Sequence, residues 1–220
     1  MKRFFLIYCL YLCFSSSALA ATIEQVFIPQ GFDDNDNVQI VVQGQLPSTC
    51  WQVTGVDVKK ESDFDFSLEV ISTRANRICV PVAIPFHRVV DLGTLNSGEY
   101  IVRAGYEKMP RYLRVAKSTS GQKDERMYAN ITAGYVKDQT LTLKGLHPDS
   151  TFKMEETQVT VHDKVIEVLP IAQSSRGSGL FVTIPFDTTV DLSKIVKTGE
   201  TYLIHVRSLN GNALNLVETF

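Results

Sequence analysis

The stretch Ile-Pro-Phe-His-Arg-Val-Val-Asp-Leu at residues 84–92 occurs a second time, as Ile-Pro-Phe-Asp-Thr-Thr-Val-Asp-Leu at residues 184–192. Each copy is followed by a Gly-Glu pair, at residues 98–99 and 199–200, and then by an apolar segment. The two copies are 100 residues apart. Because this spacing equals the length of an ordinary domain, the chain is expected to contain two copies of one architecture.

Matches upstream of this stretch extend the repeat. They are Gly44, Pro47 and Trp51, which align in order with Gly145, Pro148 and Phe152. Single matches of Gly or Pro arise easily by chance, so the ordered set carries the argument.

Short runs of alternating apolar and polar residues fill both halves and are separated by turn residues about every ten positions. Residues 64–70 and 140–143 alternate most clearly, and residues 78–84 and 180–184 are also predicted as strands. Beyond residue 20, no segment has a sustained helical periodicity. The pattern predicts an all-β fold of two tandem antiparallel β-sandwiches.

The first twenty residues have the pattern of a secretory signal peptide. Lys2 and Arg3 precede an apolar run at residues 4–14, and Ala18-Leu19-Ala20 offers a small-residue cleavage site. The run is too short for a membrane-spanning helix of about twenty residues. We expect cleavage before Ala21, export to the periplasm or the extracellular space, and no transmembrane segment in the mature chain.

Residues 118–126 contain no apolar residue and are predicted to be a polar linker. The expected organisation is a signal peptide at 1–20, a first sandwich at 21–117, this linker, and a second sandwich at 127–220.

The charge balance gives no case for nucleic acid. The formal net charge is −2 and no cluster of Lys and Arg is present. No cofactor motif is present, so no cofactor is expected. His87, His147, His162 and His205 are scattered without zinc-ligand spacing, and His162 and His205 are predicted to be solvated.

Beyond the leader only two cysteines remain, Cys50 and Cys79. They align with Thr151 and with Gly179 or a neighbour, so the second half lacks both cysteines. Joint absence is what a bonded pair predicts. We therefore expect a disulfide between two strands of the first sandwich, which export would allow to form.

The size of each half, its strand count, the single disulfide and the sequence Gly-Glu-Tyr-Ile-Val-Arg at residues 98–103 resemble the immunoglobulin-like and fibronectin-III-like sandwiches of bacterial secreted proteins. The resemblance covers each half of the chain and implies Ig-like domains. It carries over no functional residue.

The acidic turn at residues 33–37 is a weak candidate for calcium binding. Asp33, Asp34 and Asp36 could supply oxygen ligands. Val38 stands where an EF-hand needs Gly, and no Glu follows at the right distance. The alternative is a solvated hairpin turn, and no metal site is otherwise expected.

Four aromatic residues are candidates for contacts with a partner: Trp51, Phe152, Tyr106 and Tyr112. Trp51 is the only tryptophan. If Cys50 points into the core, its strand neighbour points away and could serve as an anchor. The alternative is that a bulge or the domain junction covers Trp51 and Phe152.

No catalytic constellation is recognisable: the chain lacks a Gly-x-Ser-x-Gly elbow, and its two mature cysteines are expected to pair. The leading hypothesis is therefore an exported, non-enzymatic binding or structural accessory protein that acts through protein–protein contacts. One alternative is a secreted protease inhibitor that presents the loop at residues 74–77. Others are a periplasmic pilus-assembly chaperone, although its paired basic anchors are not recognisable here, and a carbohydrate-active enzyme.

Overall fold

A computed structural model gives the fold of this chain. It describes residues 21–105, 110–121, 124, 126–175 and 179–220. The predicted signal peptide lies outside the described residues. Within them, no helix is long and apolar enough to cross a membrane.

The first half forms a sandwich of two sheets. Its eight strands are β1 (Thr22–Phe27), β2 (Phe32–Asp33), β3 (Val38–Leu46), β4 (Trp51–Ser62), β5 (Asp65–Arg74), β6 (Ile84–Gly93), β7 (Gly98–Ala104) and β8 (Arg111–Ala116). One sheet has the order β1-β3-β6 and the other β2-β8-β7-β5-β4.

The second half repeats this plan. Its strands are β9 (Ile131–Lys137), β10 (Thr140–His147), β11 (Phe152–His162), β12 (Val165–Ser174), β13 (Ile184–Asp191), β14 (Thr201–Ser208) and β15 (Asn212–Thr219). The sheets have the orders β13-β10-β9 and β11-β12-β14-β15. The chain is thus two tandem β-sandwiches, as predicted. Most strand pairs are antiparallel, but β5–β7 and the matching β12–β14 are parallel, as is the short pair β2–β8.

Alternation along the strands builds each core. In β3, Val38, Ile40 and Val42 are fully buried between the sheets of the first sandwich. In the second, Ile166 and Val168 of β12 do the same. Burying one such aliphatic side chain contributes about 1.5–3 kcal/mol, so the alternating residues fix which face of each strand points inward.

The repeated Ile-Pro-Phe stretch is structural. Its phenylalanines, Phe86 in β6 and Phe186 in β13, lie over Gly44 and Gly145 of the neighbouring strands. A Cβ on Gly44 would come within 2.9 Å of the Phe86 ring and 1.8 Å of the Thr22 carbonyl oxygen. A Cβ on Gly145 would lie 2.3 Å from the Phe186 ring. Close approach of ring and backbone therefore requires glycine in both copies.

The prediction of strands at residues 78–84 and 180–184 is wrong. The segments before Ile84 and Ile184 belong to no strand in the described parts of the chain. Each is folded locally by a hydrogen bond between residues two apart, from the Val82 amide to the Val80 carbonyl and from the Val182 amide to the Leu180 carbonyl. Pro81 also removes a donor that a strand ladder would need.

The two sandwiches pack together through faces that point away from their own cores. Phe27 and Val41 of the first sandwich form one buried cluster with Val165 and Leu203 of the second, and Val217 packs against it. Val41 belongs to β3, so both faces of this strand are buried.

A polar layer flanks this apolar contact and corrects two sequence predictions. The acidic turn is not simply solvated, because Asp36 is 5% exposed and its carboxylate lies 3.1 Å from the Arg207 guanidinium. Arg207 also donates to the Gly31 carbonyl and lies over the Phe32 ring. The second sandwich therefore covers part of the turn.

His205 is likewise buried, with 1% of its surface exposed, instead of solvated as predicted. Its ring meets Phe32 edge-on, and its Nδ1 donates to Asn215 Oδ1 over 2.7 Å. Asn215 in turn donates to Gln39 of the first sandwich. Burial lowers the pKa of His205 to about 4, so the imidazole is neutral near pH 7.

The segment predicted as a linker also makes contacts. The Ser118 amide donates to Asp34, the Asn35 side chain donates to the Ser120 carbonyl, and the Gly211 amide donates to Asp124. Its polar side chains and backbone thus tie it to both sandwiches.

Candidate functional site

A disulfide joins Cys50 and Cys79, as predicted, with their Cα atoms 5.4 Å apart. The bond does not link two strands, however. Cys50 lies in the turn before β4, and Cys79 lies in the segment before β6, outside any strand. The disulfide therefore fixes that segment against one end of the first sandwich.

The segments before β6 and β13 have the same anchoring in both copies. We call residues 78–83 the first arm and residues 179–183 the second arm. In the first arm, Val80 accepts from the Thr49 amide over 3.1 Å and donates to Thr49 Oγ1 over 3.0 Å. In the second, Leu180 accepts from the Ser150 amide over 3.3 Å and donates to Ser150 Oγ over 2.8 Å. The arms are thus two copies of one fixed structure.

Large apolar side chains on both arms point into solvent. Ile78 is 99% exposed and Phe181 is 97% exposed. The remaining exposed apolar side chains of the arms are Val80, Val82, Leu180 and Val182. Single exposed apolar residues are ordinary, but a cluster of them on a fixed segment is typical of a contact surface.

The second arm replaces the disulfide with close packing. Thr151 and Gly179 occupy the positions of Cys50 and Cys79, and a Cβ on Gly179 would lie 2.5 Å from Thr151 Cγ2. Thr151 also bonds to Ser174 Oγ over 2.9 Å. Glycine allows the second arm to approach its sandwich without a covalent link.

The first sandwich has a concavity of about 380 Å³ beside its arm. We call it the disulfide-end pocket; it is lined by Cys50, Trp51, Gln52, Thr73, Arg74 and Arg77. Trp51 and Arg74 are directly opposite each other on β4 and β5. Arg77 donates to the Thr49 carbonyl over 2.9 Å. The pocket thus unites two features that sequence analysis treated separately, the tryptophan and the loop at 74–77.

Of the four aromatic candidates, Trp51 and Phe152 occupy matching places and are half-buried. Trp51 packs against the small cluster of Leu46, Val53 and Phe86, so the core edge covers part of its ring. Phe152 is opposite Ser174, the counterpart of Arg74. The apolar side chains of the arms are therefore more exposed than the rings of Trp51 and Phe152.

Tyr106 lies outside the described residues. Tyr112 of β8 is exposed and lines a groove of about 340 Å³ between the sandwiches. Other residues of this groove are Gln25, Gln30, Arg111, His162 and Lys164. The structure therefore places Tyr112 at the junction of the two sandwiches, whereas Trp51 lies in the disulfide-end pocket of the first sandwich.

The carboxylates of the acidic turn are bound by other groups of the chain. Asp33 Oδ1 accepts from the Asn35 amide over 2.8 Å, and Asp34 lies 3.3 Å from the Lys117 amine. Hydrogen bonds from Ser118 and the charge of Lys117 lower the pKa of Asp34 to about 2. Burial raises the pKa of Asp36 in spite of Arg207. Among the described residues, no group of three or more His, Cys, Asp or Glu side chains is arranged to hold a metal ion.

The arms were missed as a candidate site because their apolar residues match a strand pattern. Two signals could have identified them: Pro81 within the first run, and Gly179 beside the second. Exposure itself could not be read from the sequence, because Val and Leu are more often buried than exposed.

Comparison with known proteins gives one match. No curated protein and no solved structure matches the chain. A family model described as the ORF11 beta-sandwich domain matches residues 40–108. This span runs from β3 past the end of β7 and includes the disulfide, the first arm and the disulfide-end pocket. The first sandwich is therefore similar, over residues 40–108, to the ORF11 beta-sandwich domain.

Proposed function

We propose that this protein is an exported, non-enzymatic binding protein that acts through protein–protein contacts, with its two arms as the contact surfaces. The observation that carries the proposal is the duplicated exposure of apolar side chains, with Ile78 and Phe181 almost wholly in solvent. The anchoring of each arm is the same in both copies.

Fixed apolar arms favour binding for an energetic reason. Association costs the ordering of flexible groups, and a segment already held by hydrogen bonds or a disulfide avoids much of that cost. The aliphatic side chains of the arms then contribute their burial against a partner. Two arms on one chain also permit two-point attachment, which increases overall affinity without new kinds of contact.

Export is supported by the disulfide and by the composition of the first twenty residues. Disulfides persist in oxidising compartments such as the periplasm and the extracellular space. The leader pattern at residues 1–20 predicts the same destination. The β-sandwich plan of the two halves agrees with immunoglobulin-like or fibronectin-III-like repeats, to which we assign them as part of this proposal.

The inhibitor alternative has less support. A protease inhibitor would present a basic side chain freely to the protease, yet the Arg77 guanidinium is engaged by the Thr49 carbonyl. Arg74 lines the disulfide-end pocket and remains a candidate, so inhibition of a trypsin-like protease by the mature chain tests this function directly. An assembly chaperone would instead be identified by the nature of the captured partner in the experiment below.

The test uses residues 21–220 and two arm variants, Val80→Asp with Val82→Asp, and Leu180→Asp with Phe181→Asp. The matched control is Val161→Asp, an exposed apolar residue of β11. Partners captured from an extract of the producing organism are identified by mass spectrometry, purified, and titrated against each form. We expect each arm variant to weaken binding of the purified partner about tenfold or more, and the control to bind as the parent does.

Two results would overturn the proposal. One is a purified partner that binds both arm variants as tightly as the parent. The other is turnover of a substrate by the mature chain at a rate that the arm variants leave unchanged.

A further inference from the structure

The disulfide-end pocket has a charge opposite to that of the chain as a whole. The net charge is −2, yet no Asp or Glu occurs between Glu69 and Asp91. Arg74 and Arg77 both line the pocket. In the parts of the chain that the structure describes, neither guanidinium is within ion-pair distance of a carboxylate, in contrast to Arg103 and Arg207.

We propose that this pocket binds a carboxylate-bearing peptide segment of the protein partner, an inference that rests on the proposed function. Arginine presents five N–H donors in a planar fork that matches a carboxylate. Arg77 uses one of these donors on the Thr49 carbonyl. That bond orients the guanidinium, and its remaining donors are available to a ligand.

The pocket is also preorganised. Cys50 lines it and is covalently linked to Cys79 of the first arm. The Ala75 amide donates to the Cys50 carbonyl over 2.8 Å, which holds the end of β5, at Arg74, and the following loop, with Arg77, against the turn before β4. Trp51 forms part of the wall and is held by the cluster at the core edge. A ligand therefore meets a disulfide-linked wall and an Arg77 guanidinium that is already held by the Thr49 carbonyl.

A peptide fits this surface better than a saccharide or a nucleic acid. The first arm begins directly after Arg77 and offers Ile78 and Val80 to apolar side chains next to the carboxylate. The pocket contains no carboxylate to accept from sugar hydroxyls, and two cations are few for a polyphosphate, whose binding rests on many such contacts.

Among the residues that the structure describes, the second sandwich has no such pairing of groups. Ser174 replaces Arg74 and Phe152 replaces Trp51 at the same cross-strand positions. The two arms would thus share apolar contact, while the first adds recognition of a carboxylate through Arg74, where the second has Ser174. This asymmetry gives the partner a defined orientation.

Trp51 provides the readout, because it is the only tryptophan of the chain and lines the pocket. The probe is a blocked peptide of alternating valine and glutamate, titrated into residues 21–220 while tryptophan fluorescence is recorded. We expect a saturable change that weakens as salt rises from about 50 to about 500 mM. Arg74→Gln and Arg74→Glu should weaken the binding about tenfold or more, since a charge-assisted hydrogen bond is lost.

Arg114→Glu is the matched control, as Arg114 is an exposed arginine of β8 outside the pocket, and it should bind the probe as the parent does. A valine–lysine peptide that binds equally well would overturn the proposal. So would an acidic oligosaccharide that binds more tightly, or an unchanged affinity in both Arg74 variants. The arm variants separate the two proposals: if they abolish partner binding while the probe gives no saturable signal, the proposed function stands and this inference fails.

Discussion

Strands β7 and β14 occupy the same place in the two sandwiches, yet their outer faces have different surroundings. Arg103 of β7 pairs with Ser67 in register, and His205 of β14 pairs with Glu167. Arg103 is 36% exposed and binds Asp65. His205 is buried beneath Phe32 of the first sandwich. One position on one strand therefore faces solvent in the first copy and another domain in the second.

The difference shows that two copies of one sandwich can use equivalent surfaces for different contacts. The first copy uses an outer face of β3 to cover the second, and the second uses the outer face of β14 to receive it. At the other end, both copies keep an apolar arm in solvent. The first adds a disulfide and a pocket lined by two arginines, for which the described residues of the second have no counterpart.

The largest expected effect comes from removing the feature that only the first copy has. The double substitution Cys50→Thr and Cys79→Gly gives the first sandwich the residues that the second has at these two positions. Because the bond closes a loop across a separation of 29 residues, we expect the first sandwich to lose about 3–4 kcal/mol of unfolding free energy. Urea unfolding monitored by Trp51 fluorescence measures this loss.

The second sandwich serves as the internal control in that experiment. Its own unfolding, followed by hydrogen exchange of the β12 and β14 amides, should change by much less. Equal stability of the parent and the variant under oxidising conditions would contradict a stabilising role for the bond.

His205, on the buried side of β14, should make the free energy of unfolding depend on pH. Its counterpart on β7, Arg103, should not. The pKa of His205 is lowered from 6.5 to about 4 by burial. Between these values the unfolded chain binds a proton that the folded chain does not. Stability should therefore be complete above about pH 6.5 and fall by about 3 kcal/mol as the pH approaches 4.

His205→Asn isolates this contribution, because the variant cannot take up that proton. Burial raises the pKa of Asp36 and of Asp124, and these groups act in the opposite direction as the pH falls. The difference between the parent and the variant, measured by urea unfolding at each pH, removes their shared contribution. Parallel pH profiles for the two proteins would show that His205 has no such role.

A disulfide grafted onto the second copy should have a smaller effect. Thr151→Cys and Gly179→Cys place cysteines at positions where a Cβ on residue 179 would lie 2.5 Å from Thr151 Cγ2. Engineered bonds usually deliver less than the chain-entropy value, so we expect a gain of about 1–2 kcal/mol. Oxidised and reduced forms of the same variant are compared by thermal unfolding, and a less stable oxidised form would mean that the second arm cannot accept the bond.

The smallest effect is expected on the arms themselves. Ile78→Ser and Phe181→Ser remove side chains that contact solvent, so each should change the unfolding free energy by less than about 0.5 kcal/mol. Thermal unfolding checks this, and Phe86→Ser, in the core edge, is the contrasting control. A large loss from Phe181→Ser would assign the second arm a structural role.

The disulfide-end pocket could be predicted only in pieces. The sequence identified Trp51 as a candidate anchor and residues 74–77 as a candidate loop, but no pattern placed them together. Their proximity follows from the register of β4 against β5, which pairs Trp51 with Arg74. The arms were predicted as strands, because a sequence cannot tell whether an extended apolar segment has a partner strand.

The sequence by itself determined the two β-sandwiches and the disulfide. Alternation at β3 and β12 decides which side chains enter each core, and the ordered repeat shows where the second copy lies. Alternation is a local pattern that recurs in many strands, so the predicted fold does not depend on any single residue being assigned correctly.

Only the tertiary structure decided which residues on the outer faces of the two sandwiches are buried and which are exposed. Val41, Asp36 and His205 are buried because one sandwich covers the other, whereas Ile78 and Phe181 remain exposed because nothing in the described chain covers them. The free energy of these residues depends on surfaces distant in sequence, and no periodicity within a strand records which of its outer faces another domain will cover.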